Sequence, residues 1–390
     1  MTAETSTSEA KAQPRRGRAA AAAASREGGG LALNVEQQLF AKALSAVTTA
    51  LPRKNEIPIL DTVLIEAGEA SLTLTVTNLV QEASIQMPAG VRAPGRICTD
   101  ARMLAGISAR MKGELTVHLE GRELKIVSGR AQTGLPTLPA EDFPVFGETD
   151  GVDFEIASRA LAAALGSVHH AMSSDQILYY LNGSYVERED SSLVFTSTDG
   201  YRLATIAVTA GADADFDGAI IPRAAISDLI KLCERVDGAV TLTIGDRALE
   251  AAGAGECYRT KLIDGTFPDW RRVYPKTPGT RIVLPRKELI EAVAVAVSAS
   301  REKSSSVRIE CVEGRLTAAT RAADGLWAKG IVEATDIPPC EPFSLNGEYL
   351  LQALEKLSHD KVKLVVIDPA SPIRVETGDA LRQVIMPLRV

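Results

Sequence analysis

Three stretches of this chain read almost alike, and they recur at roughly equal intervals of about 120 residues. They are TDARMLAGISARM near Asp100, IPRAAISDLIKLCERV near Pro222 and LNGEYLLQALEKL near Asn346. Each carries an apolar stripe at helical spacing: Leu104, Ile107 and Met111; Ile226, Leu229, Ile230 and Cys233; Leu350, Ala353, Leu354 and Leu357. Thr99 or Asp100 and Asn346 are placed to cap these helices, and Pro222 suits a first turn. A fold written three times must be built from three similar units.

The segments around these helices repeat as well. A strand pair follows each one: Leu115, Val117 and Leu119 with Leu124 and Ile126; Val240, Leu242 and Ile244; Val362, Leu364 and Val366 with Ile373 and Val375. Alternation broken by Gly or Asp-Pro predicts hairpins with one buried face. An earlier helix in each third has stripes at Phe40, Leu44, Val47 and Leu51, at Leu161, Leu165, Val168 and Met172, and at Ile290, Val293 and Val297. Strands then follow at SLTLTVTN, SLVFTSTDGYRLA and GRLTAATRAADG. The order helix, strands, helix, strands points to an α+β fold with two half-repeats per domain. Linkers at Phe143–Gly151 and Tyr274–Thr280 set the expected domains at 31–148, 149–278 and 279–390, preceded by a low-complexity tail over 1–30.

Units with helices on one face and antiparallel sheet on the other can close into a ring. If two such chains close head to tail, twelve helices line the hole. Axes about 10 Å apart give a circle near 38 Å across, and removing a helix radius of roughly 5 Å per side leaves room for a nucleic-acid duplex.

Composition narrows the function class. A length of 390 residues predicts two to four domains. The formal charge of −7 argues against a wholly basic nucleic-acid binder, while a local basic surface is still compatible with it. Five scattered cysteines without a C-x-x-C pair indicate neither a zinc site nor a disulfide framework, and fit a reducing cytoplasm. No apolar run is long enough to span a membrane. Arg15, Arg16 and Arg18 beside the alanine run read as a flexible tail, with a weak phosphate-binding arm as the alternative. The chain ends in RQVIMPLRV, an apolar terminus that must either complete a sheet or line a site, or do both.

Six motifs in order carry a family resemblance: IPIL (Ile57–Leu60), PTLPAEDFP (Pro136–Pro144), YYLNG (Tyr179–Gly183), STDGYRLA (Ser197–Ala204), LIDGTFPDWRRVYP (Leu262–Pro275) and the terminal MPLRV. From Leu31 to Val390 the chain resembles the beta sliding clamp family, the beta subunit of bacterial DNA polymerase III. The resemblance implies three tandem clamp domains per chain and a homodimeric ring, with helices lining the inside and sheets outside. Such a ring encircles double-stranded DNA without sequence specificity. It also implies short linear motifs of polymerase subunits, clamp loader and repair proteins as partners, with no catalysis, no cofactor and no metal.

Carried over residue by residue, the resemblance places Leu181, Thr198, Gly200, Tyr201, Arg202 and Leu203 at a partner-peptide groove. Pro268, Arg272 and Val273 join them, with Asn346 and Tyr349 from the last helix. Val384, Ile385, Met386, Pro387, Leu388 and Arg389 form the wall supplied by the tail. Apolar walls with few polar anchors suit weak, exchangeable motifs. Lys54, Arg102, Tyr179 and Tyr180 fall where the family makes duplex contacts. Arg110, Arg223, Lys231, Arg235, Arg301, Lys303 and Lys356 add cations near the expected lining helices. Dispersed phosphate contacts carry no sequence information and allow sliding.

Some positions depart from the family pattern. Ile177–Leu178 stands where arginine is common, Asp175 brings negative charge to that loop, Ala224 replaces a second cation, and TRAADGLWAKG is poor in acid. These features keep a second expectation open, an accessory paralogue acting as an interaction hub with little DNA loading. Enzymatic readings find little support. His169–His170 lacks a third ligand at metal spacing, Gly253–Gly255 does not open a helix, and Asp199 and Asp264 are expected to make turns.

Overall fold

The computed structural model describes residues 30–52, 56–211, 216–300, 305–335, 337–378 and 380–388. The expected tail over 1–30 therefore lies almost wholly outside the described residues. Two compact units are distinguished, Met1–Val76 with Ser84–Pro144, and Thr77–Ala83 with Val145–Val390.

The six helices among the described residues are α1 (Gln37–Thr48), α2 (Ala101–Ser108), α3 (Ser158–Val168), α4 (Arg223–Arg235), α5 (Arg286–Ser298) and α6 (Gly347–Glu355). Each is preceded by one strand; α2 to α6 are followed by three, and α1 by four, the fourth being the short Gly90–Ala93, so the half-repeat is in essence a strand, a helix and three strands. The halves interlock by exchanging their first strands. Ala32–Glu36 pairs with Glu114–Glu120, and Gly95–Asp100 pairs with Thr62–Ala67. The same exchange joins Val152–Ala157 to Ala239–Ile244 and Ala219–Pro222 to Gly183–Glu189. It recurs for Thr280–Pro285 on Lys361–Val366 and Cys340–Asn346 on Ser306–Val312. Neither half can complete its sheet alone.

Helix starts show how the exchange is fastened. Asp100 accepts from the Met103 N–H at 2.7 Å, and Asn346 from the Tyr349 N–H at 3.2 Å, the side-chain caps expected there. Pro222 occupies the cap position itself, in extended backbone, one residue ahead of the expected first turn. Helices without a capping side chain find backbone acceptors elsewhere. Gln37 N–H donates to the Gly113 carbonyl, Ser158 N–H to Gly238, Arg223 N–H to Asn182 and Arg286 N–H to Asp360, all between 2.7 and 3.1 Å. Amides that α-helices leave unpaired at their starts are thereby satisfied.

The first two early stripes are buried as expected. The third is turned slightly. Leu289, Ala292, Val293 and Ala296 face the core, while Ile290 and Val297 are only half-buried. The reason is a close backbone approach: a Cβ at Gly330 would lie 2.3 Å from the Ala292 Cα, so α5 must present its small residues to the strand Trp327–Glu333. Ile107 and Ile230 are likewise half-buried, at the margins of their stripes.

In the second unit an eight-stranded sheet runs in the order Ala219–Pro222, Gly183–Glu189, Ser192–Thr198, Arg202–Thr209, Arg382–Ile385, Ile373–Glu376, Lys361–Val366 and Thr280–Pro285. The C-terminal strand thus sits between the second repeat and the third.

Candidate functional site

The tail completes a sheet. Arg202 faces Ile385 and Leu203 faces Val384 across the Arg202–Thr209 and Arg382–Ile385 strands. Beyond the strand, Met386 N–H donates to the Tyr201 carbonyl at 2.8 Å and Leu388 N–H to the Ser344 carbonyl at 2.8 Å. Pro387 bridges to Leu345. The terminus is therefore held by main-chain bonds to both repeats. Met386, Pro387 and Leu388 are left half-buried, and Arg389 lies outside the described residues.

Val384 of the tail joins a buried cluster with Leu181, Val194, Leu203, Ile220, Phe267 and Trp270. Ile385 is also buried. Pro268, Arg272 and Val273 are exposed around the short helical turn Trp270–Arg272. Trp270 anchors that turn: its Nε1–H donates to Glu187 at 2.8 Å, and the Arg271 guanidinium lies 4.5 Å over its ring.

The TDGYR turn accepts the Met386 N–H through its Tyr201 carbonyl and is internally bonded. Thr198 Oγ1 donates to the Arg202 carbonyl at 2.7 Å and accepts from Gly200 N–H. The Asp199 carboxylate accepts from Tyr201 and Arg202 N–H and from Arg202 Nε at 2.9 Å. Asp199 is thus a turn-former, as the sequence suggests. Gly200 has φ of +88°, a conformation that strains any side chain there. Arg202 also reaches α6, donating to Gln352 at 2.6 Å and lying 4.1 Å over the Tyr349 ring. Asn346 is buried and spends its side chain on the α6 cap, so it positions Tyr349. Tyr201 remains 64% exposed.

Next to this turn lies a cavity of about 750 Å³. It shares Tyr201, Arg202 and Tyr349 with the expected groove, but adds His169, His170, Leu178, Gln352 and Lys356. Sequence reasoning does not connect these residues. The histidine pair is visible as a motif, but its proximity to α6 is tertiary. Burial pushes His170 down to about 3, with Arg202 and Lys356 adding repulsion. His169 is lowered by the same desolvation.

This predicts an acid-sensitive unit. An unfolded histidine titrates near 6.5, so below about that pH the unfolded chain binds a proton that folded His170 refuses. The stabilisation present at neutral pH should drain away as pH falls from roughly 6.5 toward 3. Thermal melts of His170→Phe should show a shallower loss of Tm below pH 6.5 than the parent chain.

The expected DNA residues are less uniform than their spacing suggests. Arg102 pairs with Asp61 at 3.2 Å and donates to the Leu51 and Pro52 carbonyls, which ties α2 to the residues just after α1. Lys231 meets Asp228 at 3.3 Å, and Arg235 is clasped by Glu256. Arg110 and Arg223 instead donate to backbone carbonyls, of Gly106 and of Met172 and Ser173, which leaves their charge uncompensated by those bonds. Tyr179 and Tyr180 pack edge to face at 5.8 Å, with Tyr179 52% exposed. Lys54, Arg301 and Lys303 lie outside the described residues.

The repeat, the interlocked halves and the sheet-bound terminus define a clamp-type fold. Consistent with this, residues 31–147, 155–269 and 271–389 match the N-terminal, central and C-terminal domains of the DNA polymerase III beta subunit. The beta sliding clamp of Proteus mirabilis is 31% identical over 363 residues, covering 91% of this chain and 99% of that one. That of Caulobacter vibrioides is 32% identical over 374 residues, covering 92% and 100%. A crystal structure of a DnaN sliding clamp from Pseudomonas aeruginosa bound to griselimycin superposes with a TM-score of 0.88 at 29% identity, covering 93% of this chain and all of that one. The chain belongs to the beta sliding clamp family.

Proposed function

We propose that this chain is a DNA sliding clamp, organised as three domains near 31–148, 149–278 and 279–390, that closes with a second copy around duplex DNA. It holds polymerase subunits, clamp loader and repair proteins by short peptide motifs laid along the tail, and it carries out no chemistry of its own. The observation that carries this reading is the main-chain closure of Arg382–Ile385 and Met386 on the Arg202–Thr209 strand and the TDGYR turn. That closure sets the half-buried Met386, Pro387 and Leu388 beside a buried apolar cluster shared with the second repeat, which supports a docking site for extended peptides. A cytoplasmic site of action accords with this role, and no helix among the described residues is long and apolar enough to cross a membrane.

Retention on nicked circular DNA, abolished on linearisation, is the expected behaviour of a closed ring. Equal loss from both templates would end this reading. The second reading, an interaction hub with weak DNA loading, is favoured by Asp175 and Leu178 at the cavity and by the acidic partners of Arg102 and Lys231. The two separate on salt dependence. Arg110→Gln with Arg223→Gln should lower the slope of log Kobs against log salt by about 0.9 for each phosphate that is no longer neutralised. Arg102→Gln with Lys231→Gln should lower it less, because carboxylates already offset those charges. An unchanged slope in the first pair would take both residues off the DNA.

A further inference from the structure

Two of the five cysteines, 29 positions apart in sequence, face one another in the third repeat. Cys311 lies on Ser306–Val312 and Cys340 opens Cys340–Asn346, and the two are directly paired across the antiparallel ladder. A register irregularity produces that pairing. From Ser306–Asn346 to Ile309–Phe343 the ladder is regular, and its continuation would set Glu341 opposite Cys311. One extra residue on the second strand between Phe343 and Cys340 shifts the register, and Cys340 takes the place instead. Directly opposed antiparallel residues have Cα atoms about 4.5–5.5 Å apart, within the range of about 4.4–6.8 Å that a disulfide bridges. The two side chains are within hydrogen-bond reach, and both are free thiols.

We propose that Cys311 and Cys340 are a thiol–disulfide site, closing to an intramolecular disulfide in exchange with a small-molecule disulfide such as oxidised glutathione. Cys340 is half-exposed and Cys311 is 5% exposed, so the first encounter falls to Cys340. The hydrogen bond from Cys311 lowers the Cys340 thiol, against opposing burial and the neighbouring Glu341 carboxylate. The Cys340 thiolate attacks one sulfur of the glutathione disulfide, forming a mixed disulfide and releasing one glutathione thiolate. The Cys311 thiol, raised by its hydrogen bond to Cys340 and by burial, attacks the Cys340 sulfur as its proton passes to the departing sulfur, and the second glutathione leaves as a thiol. Two cysteine thiols are oxidised, one glutathione disulfide is reduced to two thiols, and no other oxidant is required. The other cysteines are not paired across a ladder with a thiol: Cys98 faces Leu64 and Leu138, Cys257 faces Ala252, and Cys233 lies on α4.

The bond would tie Ser306–Val312 to the strand whose far end holds the tail through Ser344 and Leu345. The test uses the full-length, reduced chain incubated with oxidised glutathione, quenched in acid and measured as intact mass and as an unreduced peptide map. The expected product has lost two hydrogens, carries a Cys311–Cys340 linked peptide and retains no glutathione at either position. A dithiol reductant should restore both thiols. Cys311→Ser should instead stop at a glutathionyl adduct on Cys340, and Cys340→Ser should leave Cys311 unmodified. The proposal is overturned if the parent chain keeps glutathione on Cys340, links two chains, or leaves both thiols open to alkylation after the same treatment. It stands or falls apart from any DNA-binding result.

Discussion

Met386→Ala combined with Leu388→Ala is expected to weaken binding of a polymerase-derived linear-motif peptide by about 10- to 100-fold while leaving the fold intact. Both side chains are half-buried along the proposed groove, so each has apolar surface left to cover. Truncating both removes several methylene-sized groups at roughly 0.8 kcal/mol each when fully covered, and partial coverage brings the pair to about 1.5–3 kcal/mol. The tail should nevertheless stay in place. Its bonds to Tyr201 and Ser344 come from the main chain, and the strand before it pairs on both edges. Calorimetric titration of the peptide into the parent chain and the double variant measures the effect. Equal affinities would take the tail out of the binding site.

Trp270→Ala should produce the largest loss of stability, about 3–5 kcal/mol. The ring is 6% exposed within the cluster of Leu181, Leu203, Phe267 and Val384, so its removal leaves a cavity that rigid sheet neighbours cannot fill. Glu187 would lose its indole donor but keep Arg271 at 2.8 Å, which limits the polar part of the penalty. Trp270→Phe should cost clearly less, since most of the packing survives and mainly the Nε1–H bond disappears. Urea melts of both variants check this order. Because the same turn presents Val273 and Arg272, the Ala variant should also bind the linear-motif peptide more weakly than the Phe variant. Similar stability for all three chains would mean that the cluster does not hold the turn.

The contrast between Arg102 and Arg110 shows how far sequence reaches. Both stand out by their place on or beside α2, and nothing in the local sequence tells them apart. In the fold, Arg102 finds Asp61, forty-one residues away, whereas Arg110 reaches only back to Gly106 at the end of the same helix. Charge is local, but its compensation comes from a segment far away in the chain. The α5 stripe makes the same point in apolar terms. Periodicity locates the helix, but its rotation is decided by the missing Cβ of Gly330 against Ala292. His169 and His170 are legible as a pair, yet they face a cavity only because α6 packs beside them.

By itself the sequence determined the threefold duplication, the six helices and their hairpins, and the motifs that mark the family. These depend on spacing along the chain, on caps one to three residues away and on alternation within a strand. Only the tertiary structure decided which first strand pairs with which half, which cations are already paired, and that Cys340, not Glu341, meets Cys311. Such choices turn on register and close approach between segments far apart in the chain. A shift of one residue leaves the local pattern untouched while changing every partner.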